Sequence, residues 1–476
     1  MLLKELIDNI PIKQIIGNTD IEIDNISFDT RTTKKGSIFV CIKGLNSDRH
    51  TYYQKAIEKG AVAIVSEYPL ETGAISNIVV ENTNKALALL SSNFYYNPDK
   101  KLRIVGVTGT NGKTTTTNLI KTCLEQCGYK VGLIGTNEIV IDEEILPASC
   151  TTPEAPELFS YFAKMVEVGC DFAVMEVSSH SIALNRVYGI NFKVGIFTNL
   201  TQDHLDFHSN MQEYAKTKAE LFANCDISII NKDSDYFDIM KSKAKNLFTY
   251  GIHKECDYRA VDVEHRDNGV SYTVTGKFDS YRINFPIPGN FSVYNSLSVC
   301  ALCSQLSIPD GFVRMALKNV KTIKGRCEIV DIDKSYKVII DYAHTPDGML
   351  NIISAINEFK KARLITVFGC GGDRDRGKRP QMGKIAKELS DIVVVTSDNP
   401  RSEDMQAIVD DILVGITDQN NVYVELDRLE AIKLAMQMAK ENDIILLLGK
   451  GHELTQKFKD YSIHFDEREV VKSLCD

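Results

Sequence analysis

The chain has 476 residues, 43% of them hydrophobic and 25% charged, which is enough for about three domains with sizeable cores. Its formal charge of −9, from 55 Lys+Arg against 64 Asp+Glu, argues against a nucleic-acid or anionic-membrane binder but leaves room for local basic pockets. The opening stretch, Met1 to Ile10, carries Lys4, Glu5 and Asp8. It reads as neither a signal peptide nor a span, and no other apolar run nears the roughly 20 residues a membrane helix needs. A cytoplasmic protein is expected. The 12 cysteines are scattered, mostly in apolar surroundings, and read as reduced core thiols. Cys300 and Cys303 read as neighbours on one helix, because no second ligand pair with zinc spacing accompanies them.

The predicted elements fall into three α/β blocks, taken as 1–99, 100–326 and 327–476. The first mixes short strands (Ser37 to Ile42, Ala61 to Ser66, Ile78 to Val80) with helical stretches (Tyr52 to Lys59, Asn84 to Phe94). It closes on the turn-like Tyr95-Tyr96-Asn97-Pro98-Asp99. The second opens with the β-branched run Leu102 to Thr108, then Gly109-Thr110-Asn111-Gly112-Lys113-Thr114-Thr115, then a helical pattern from Thr116 to Cys127. Buried strands follow at Asp171 to Val177, Lys193 to Asn199 and Asp226 to Asn231. This alternation predicts a mostly parallel sheet covered on both faces. The third block has strands at Lys337 to Asp341, Arg363 to Phe368, Ile392 to Ser397 and Asp443 to Leu448. It reads as a smaller, Rossmann-like doubly wound sheet. Functional residues in such sheets sit at the carboxyl ends of strands. There lie Asp341 to His344, Gly369 to Arg376, Asp398 to Arg401 and Gly449 to Glu453.

The loop Gly109 to Thr115 carries the most specific chemistry. Its glycines let successive N–H groups face one anion, and the following helix points its positive end at the same place. Lys113 supplies a mobile charge for β- and γ-phosphates, and Thr114 a hydroxyl for Mg²⁺. The loop departs from the full phosphate-loop pattern, because Val107 holds the first glycine's place. Glu176, ending a strand, and His204, just past another, are metal candidates, since Mg²⁺ takes few protein ligands and keeps several waters.

These motifs, in this order and over essentially the whole chain, resemble the Mur ligase family. Within it the likeness is greatest to the branch that adds diaminopimelate to a UDP-muramoyl dipeptide. The landmarks are Phe28 to Arg31, Gly109 to Thr115, Thr151-Thr152-Pro153, Glu176 to His180, Asn199 to Asp206 and Tyr214 to Phe222, then Gly325 to Glu328, Asp341 to Pro346, Asp398 to Arg401 and Gly449 to Glu453. The resemblance implies an N-terminal UDP-sugar domain, a central P-loop ATPase domain and a C-terminal Rossmann-like domain. It implies an ATP-dependent amide ligase that works through an acyl phosphate, with Mg²⁺ as cofactor and a monomer as the working form. Lys113 and Thr114 would serve ATP and metal, and Glu176 and His204 the metal. Lys218, rather than Lys216, matches the family's carbamylated lysine, an anion that can orient a Mg²⁺ ion.

The same resemblance distributes the remaining contacts. Phe28, Thr30, Leu45, Asn46 and Ser47 would surround the uridine; Thr30 stands where many relatives carry serine. Cys150, Thr151, Thr152, Ser178, Leu184 and Arg186 would face the pyrophosphate and muramoyl peptide, with Cys150 and Leu184 replacing polar residues of some relatives. Asn290 and Asn295 resemble the adenine-side segment. Arg326, Asp341 and His344 should approach ATP when the third domain closes on the second. Diaminopimelate differs from lysine by a distal carboxylate, which a guanidinium grips bidentately. That gives a reason for Arg401 in Asp398-Asn399-Pro400-Arg401, helped by Arg374, with Gly449 and Glu453 at the ligand's charged ends. Competing readings are a lysine-adding ligase, another amide ligase of the superfamily, a P-loop phosphotransferase, or a non-catalytic nucleotide-binding protein. The third domain's arginine argues against the phosphotransferase, and intact Lys113, Glu176, His204 and Lys218 against decay.

Overall fold

The computed structural model describes every residue except 45, 46, 149, 267, 268, 277–279, 322 and 476. Among the described residues three large sheets follow one another along the chain, with a fourth of two strands near its end. The first runs Ile12–Ile16, Ser76–Val80, Ala61–Ser66, Ser37–Val40, Asn25–Ser27, with only the first pair antiparallel. The second has eleven strands. Its parallel middle carries Cys225–Asn231, Phe192–Phe197, Arg103–Thr108, Phe172–Glu176 and Val131–Ile134 side by side. The third runs Glu328–Val330, Lys337–Asp341, Ile444–Leu448, Leu364–Phe368, Ile392–Val395, Val422–Val424, parallel except for its first strand.

The strand Arg103–Thr108 is apolar on both sides because both faces of its sheet are covered. Val105 and Val107 pack with Leu119, Ile120 and Leu124 of the helix Lys113–Gln126. Ile104 points the other way, into a core with Phe159 and Phe162 of the helix Ala155–Glu167. Such continuous burial is the pattern of parallel sheets. The chain leaves Arg103–Thr108 toward Val131–Ile134 on one side and leaves its neighbour Phe172–Glu176 toward Phe192–Phe197 on the other, so a crevice opens at these carboxyl ends, where the phosphate loop lies.

Three differences from expectation have physical causes. The helix after the phosphate loop begins at Lys113 rather than Thr116, because Gly112, at φ +84, makes the left-handed turn that starts it. The central sheet extends through the antiparallel arm Tyr258–Arg266, Gly269–Thr275, Ser280–Phe285, whose inward residues Ala260, Tyr272, Val274 and Ile283 join the core under the helix Asn290–Gln305. A hairpin, Thr455–Lys457 with Ser462–His464, forms a separate two-stranded sheet after the last strand of the third. Cys300 and Cys303 are fully buried neighbours on the helix Asn290–Gln305, as read. No helix among the described residues is long and apolar enough to cross a membrane.

Candidate active site

The phosphate loop is held from behind. Thr110 N donates to Asn199 O, Asn111 N to Asn199 Oδ1, and Thr198 Oγ1 to Asn111 O. A side chain at Gly112 would sit 2.5 Å from Asn295 Oδ1, so this glycine is required by close approach as well as by its φ. Lys113 folds over the loop, its Nζ donating to Gly109 O at 2.9 Å and Thr110 O at 2.8 Å. These acceptors are weak ones for an ammonium, and burial lowers its pKa, against the pull of Glu176. An anion in the loop would be its natural partner.

Glu176 comes level with Val107 across the parallel pair, which puts its carboxylate beside the start of the loop. It is buried and accepts from Thr114 Oγ1 at 2.9 Å, Thr136 N at 2.8 Å and Thr136 Oγ1 at 3.0 Å. Thr114 Oγ1 also accepts from Arg326 Nη2 at 3.0 Å. Residues of the C-terminal block also meet the central block here. Asn111 Nδ2 donates to Asp347 Oδ2 at 2.8 Å, and Gln202 Nε2 to Asp375 Oδ2 at 3.1 Å. Asp341 lines the same space, but its oxygens are engaged by Cys327 N and Ala343 N. It holds the Arg326–Cys327 turn against the strand end, and Arg326 lies over the Tyr342 ring at 4.7 Å.

His204 sits at φ +56, with its Nε2 3.5 Å from Asp203 Oδ2. Asp203 also faces His344 at 3.8 Å and the buried Lys378 at 3.7 Å. Burial pushes this carboxyl up, but His204, Lys378 and His344 outweigh it and hold it below the usual carboxylate range. Burial lowers His204 to about 3 and His344 to about 4, so both rings are neutral near pH 7 and each has a lone pair to offer. Lys218 is fully buried under the loop, its Nζ 2.9 Å from Gly109 O and over the Tyr214 ring at 4.8 Å. Burial, then Lys113, holds its pKa well below the usual lysine range. Burial thus disfavours the charged form of this amine.

These groups share one cavity of about 450 Å³. Of the residues expected around ATP and metal, Thr110 to Thr115, Glu176, His204, Asn290, Asn295, Arg326, Asp341 and His344 line it. Gly109 and Lys218 lie just behind, joined by their hydrogen bond. At one end Asp233, Phe291 and Tyr294 add walls the sequence did not suggest. Asp233 is occupied by Ile252 N, His253 N, Lys254 N and Tyr294 OH, so it organises that end.

The third sheet brings its strand ends level: Asp341 pairs Leu448, Phe368 pairs Leu448, and Phe368 pairs Val395. The loops that follow therefore converge. Asn399 Nδ2 donates to Glu453 Oε2 at 2.7 Å, and the fully buried Lys450 donates to Glu453 Oε2, Asn399 Oδ1 and Thr455 O. A side chain at Gly449 would lie 2.6 Å from Asp398 Oδ2. Pro400 packs its carbonyl against Gly372, where there is likewise no room for a Cβ. Arg401 donates from Nη1 to Gly372 O at 2.6 Å. Burial and the nearby Arg374 both lower its pKa, so two cations share a half-dry site. Arg374 itself is exposed and donates to Asp373 O.

The residues expected on the sugar side form two groups. Thr152 Oγ1 donates to Glu176 O, and Ser178 N to Thr152 Oγ1. Arg186 donates to Thr152 O at 2.9 Å and pairs with Glu154 at 2.6 Å. Thr151 Oγ1 accepts from Thr136 and lines the cavity, and Cys150 Sγ donates to Thr152 O. Leu184 ends the short helix Ser179–Ala183 that Ser178 caps. Phe28, Thr30 and Ser47 lie apart, in the first domain: Arg49 covers the Phe28 ring at 4.9 Å, Thr30 O accepts from Lys59, and Ser47 O from Gly44 N. Leu45 and Asn46 lie outside the described residues. Thr136 and Lys378 escaped the sequence reading, and Lys450 sat unremarked inside the quoted Gly449 to Glu453 run. Asp203 sat unremarked inside the quoted Asn199 to Asp206 run.

A phosphate loop, a buried strand-end carboxylate and a second α/β unit against them fit an ATP-dependent ligase, and comparison with known proteins gives the class. The Mur ligase middle-domain model matches residues 107–303, and the Mur ligase glutamate-ligase-domain model residues 325–451. The chain belongs to the Mur ligase family. It is 47% identical, over 100% of its length and 99% of the relative's, to the UDP-N-acetylmuramoyl-L-alanyl-D-glutamate–2,6-diaminopimelate ligase of Clostridium tetani. Among solved structures, a ligase of the same description superposes with a TM-score of 0.71 at 28% identity, covering 100% of this chain and 99% of that one. The MurF ligase of Thermotoga maritima, solved with ADP, shares the fold at a TM-score of 0.61 and 18% identity, covering 89% of this chain and 93% of that one.

Proposed function

We propose that the chain joins 2,6-diaminopimelate, in its meso form, to the D-glutamyl carboxylate of UDP-N-acetylmuramoyl-L-alanyl-D-glutamate, with ATP converted to ADP and phosphate, as a step of peptidoglycan synthesis. The observation that carries this reading is the meeting of Lys113, Glu176 and Arg326 in one cavity that is also lined by the end of the strand Lys337–Asp341, with Tyr342 to His344, from the third sheet. Residues 1–99, 100–326 and 327–476 are assigned to UDP-sugar, ATP and amino-acid binding respectively.

A carboxylate is a poor acyl donor because its leaving group would be hydroxide. Its oxygen instead attacks the γ-phosphorus of ATP and ADP departs, leaving an acyl phosphate. The amine then attacks the carbonyl carbon, phosphate leaves with the C–O electron pair, and the nitrogen loses a proton. This chemistry depends on positioning and charge stabilisation. The loop N–H groups and Lys113 would take the β- and γ-phosphates, and Arg326 the charge that develops on them. Thr114, Glu176 and the neutral His204 suit Mg²⁺, which accepts a hydroxyl, one carboxylate and few further protein ligands; when bound it would neutralise phosphate charge. Lys218 is assigned as the carbamylated lysine: its unprotonated amine adds CO₂, an N–C bond forms, and the proton goes to solvent. Arg186, Thr151, Thr152 and Ser178 would hold the muramoyl peptide, with Phe28, Thr30 and Ser47 on the uridine. Arg401 and Arg374 would share the distal carboxylate of diaminopimelate. The test is ADP release measured with each substrate omitted in turn, with the amide product identified by mass. ADP release that does not require both the UDP-dipeptide and the amino acid would refute the reading.

A further inference from the structure

The amino-acid-binding loops begin at two strand ends, and one side chain ties those ends together. Arg428 is fully buried. Its Nη1 donates to Ser397 O at 3.3 Å and its Nη2 to Leu448 O at 2.8 Å. Ser397 immediately precedes Asp398-Asn399-Pro400-Arg401, and Leu448 immediately precedes Gly449-Lys450-Gly451-His452-Glu453. The guanidinium is fixed in turn by Glu467, whose Oε1 accepts from Nε at 2.9 Å and Nη2 at 2.7 Å. Glu467 is also fully buried, in the first turn of the helix Glu467–Ser473.

This placement is costly in two ways. Arg428 opens the helix Arg428–Met438, where the helix dipole opposes a cation. Both charges are also removed from water, and buried pairs of this kind often stabilise a fold no better than apolar residues would. A helix tether alone would not need a guanidinium. Two carbonyls on separate strands do, because a rigid planar fork can bond both and an acid at once.

We propose that Arg428, anchored by Glu467, is a positioning residue for amino-acid selection, holding the Asp398–Arg401 and Gly449–Glu453 loops at a fixed separation from behind. The inference rests on the amino-acid-binding role assigned to those loops above. It explains how Asn399 and Glu453 stay within 2.7 Å of each other although they leave different strands. It also separates Arg428 from Arg401: one sets the geometry, the other touches the ligand.

The test uses the full-length enzyme with Arg428→Lys, which keeps the charge but loses the fork, and Glu467→Gln, which keeps an acceptor for the guanidinium. Thermal melts establish folding, and KM is measured separately for ATP, the UDP-dipeptide and diaminopimelate, with lysine as competitor amino acid. Loop displacement of about 1 Å costs on the order of a hundredfold in a positioned reaction. Arg428→Lys should accordingly lower kcat/KM for diaminopimelate by roughly tenfold to a hundredfold, with a raised KM for it, and narrow the preference over lysine, with KM for ATP and the UDP-dipeptide unchanged. Glu467→Gln should move the same quantities less, and it carries the test if Arg428→Lys does not fold. Variants that melt earlier yet keep the parental KM and preference, or that raise all three KM values together, overturn the proposal. A parent enzyme that uses a different amino acid sinks the diaminopimelate assignment alone, because the variants are then scored with that amino acid.

Discussion

Replacing Arg401 by glycine removes the guanidinium proposed to select the amino acid without straining its loop. Arg401 sits at φ +54, a left-handed conformation that costs an L-residue about 1–2 kcal/mol and glycine almost nothing. Its backbone N–H to Lys457 O survives the change, while the side-chain bond to Gly372 O is lost. That bond and the relieved strain are of similar size and opposite sign, so the melting temperature should stay near the parental value. Binding is different. A charge-assisted hydrogen bond to the distal carboxylate contributes about 1.5–3 kcal/mol, which is roughly ten- to a hundredfold in kcat/KM for diaminopimelate. Relief of the repulsion between Arg401 and Arg374 on carboxylate binding works in the same direction. Lysine has no distal carboxylate, so its already low kcat/KM should change little. The assay is kcat/KM for both amino acids in parent and Arg401→Gly. An unchanged ratio would refute the reasoning and leave Arg401 as a turn residue.

The other predictions concern the loop, the buried lysine and the acid limb. Lys113→Ala should abolish ATP turnover with an unchanged melt, because Lys113 bonds only loop carbonyls; near-normal amide formation would remove its phosphate role. Lys218→Ala should be nearly inactive and partly restored by formate or acetate, and intact-mass analysis of the parent under CO₂ should show the carbamate; a fully active enzyme with unmodified lysine would end that assignment. Glu403 binds Arg379, Arg376 and Asp373 N, and its bonds to Arg379 above all depress its pKa from 4.5 to about 2. A depressed carboxylate stabilises the fold above its unfolded pKa and stops doing so as pH falls from about 4.5 to about 2, a contribution on the order of 3 kcal/mol. Glu403→Gln should lower the urea midpoint at pH 7 and flatten its fall between those pH values; an unaltered acid limb would contradict the pairing.

The strand, glycine turn and helix proposed to hold the nucleotide were legible in the sequence, because such a loop is local. Strand, glycine turn, lysine and helix start lie within about a dozen consecutive residues, and each is dictated by backbone conformation and the helix dipole. Only the helix boundary shifted, since the left-handed Gly112 starts it three residues early. The antiparallel arm from Tyr258 to Phe285 was not legible, because its alternation mixes Ser, Thr and Tyr that become apolar in effect only once Tyr272 and Tyr281 are covered by the helix Asn290–Gln305.

The amino-acid end divides differently. Asp398-Asn399-Pro400-Arg401 is visible as a turn after an apolar run, and the chemistry of a guanidinium suggests what it could bind. What the sequence by itself determined is therefore the set of local motifs and their order. Only the tertiary structure decided their convergence, because the level register of Asp341, Leu448, Phe368 and Val395 depends on pairing between strands far apart in the chain. Nothing local in the sequence singles out Arg428, Glu467 or Lys378, or gives Lys450 a partner. Their burial, and the carbonyls and carboxylates they meet there, arise from long-range packing that no local pattern encodes.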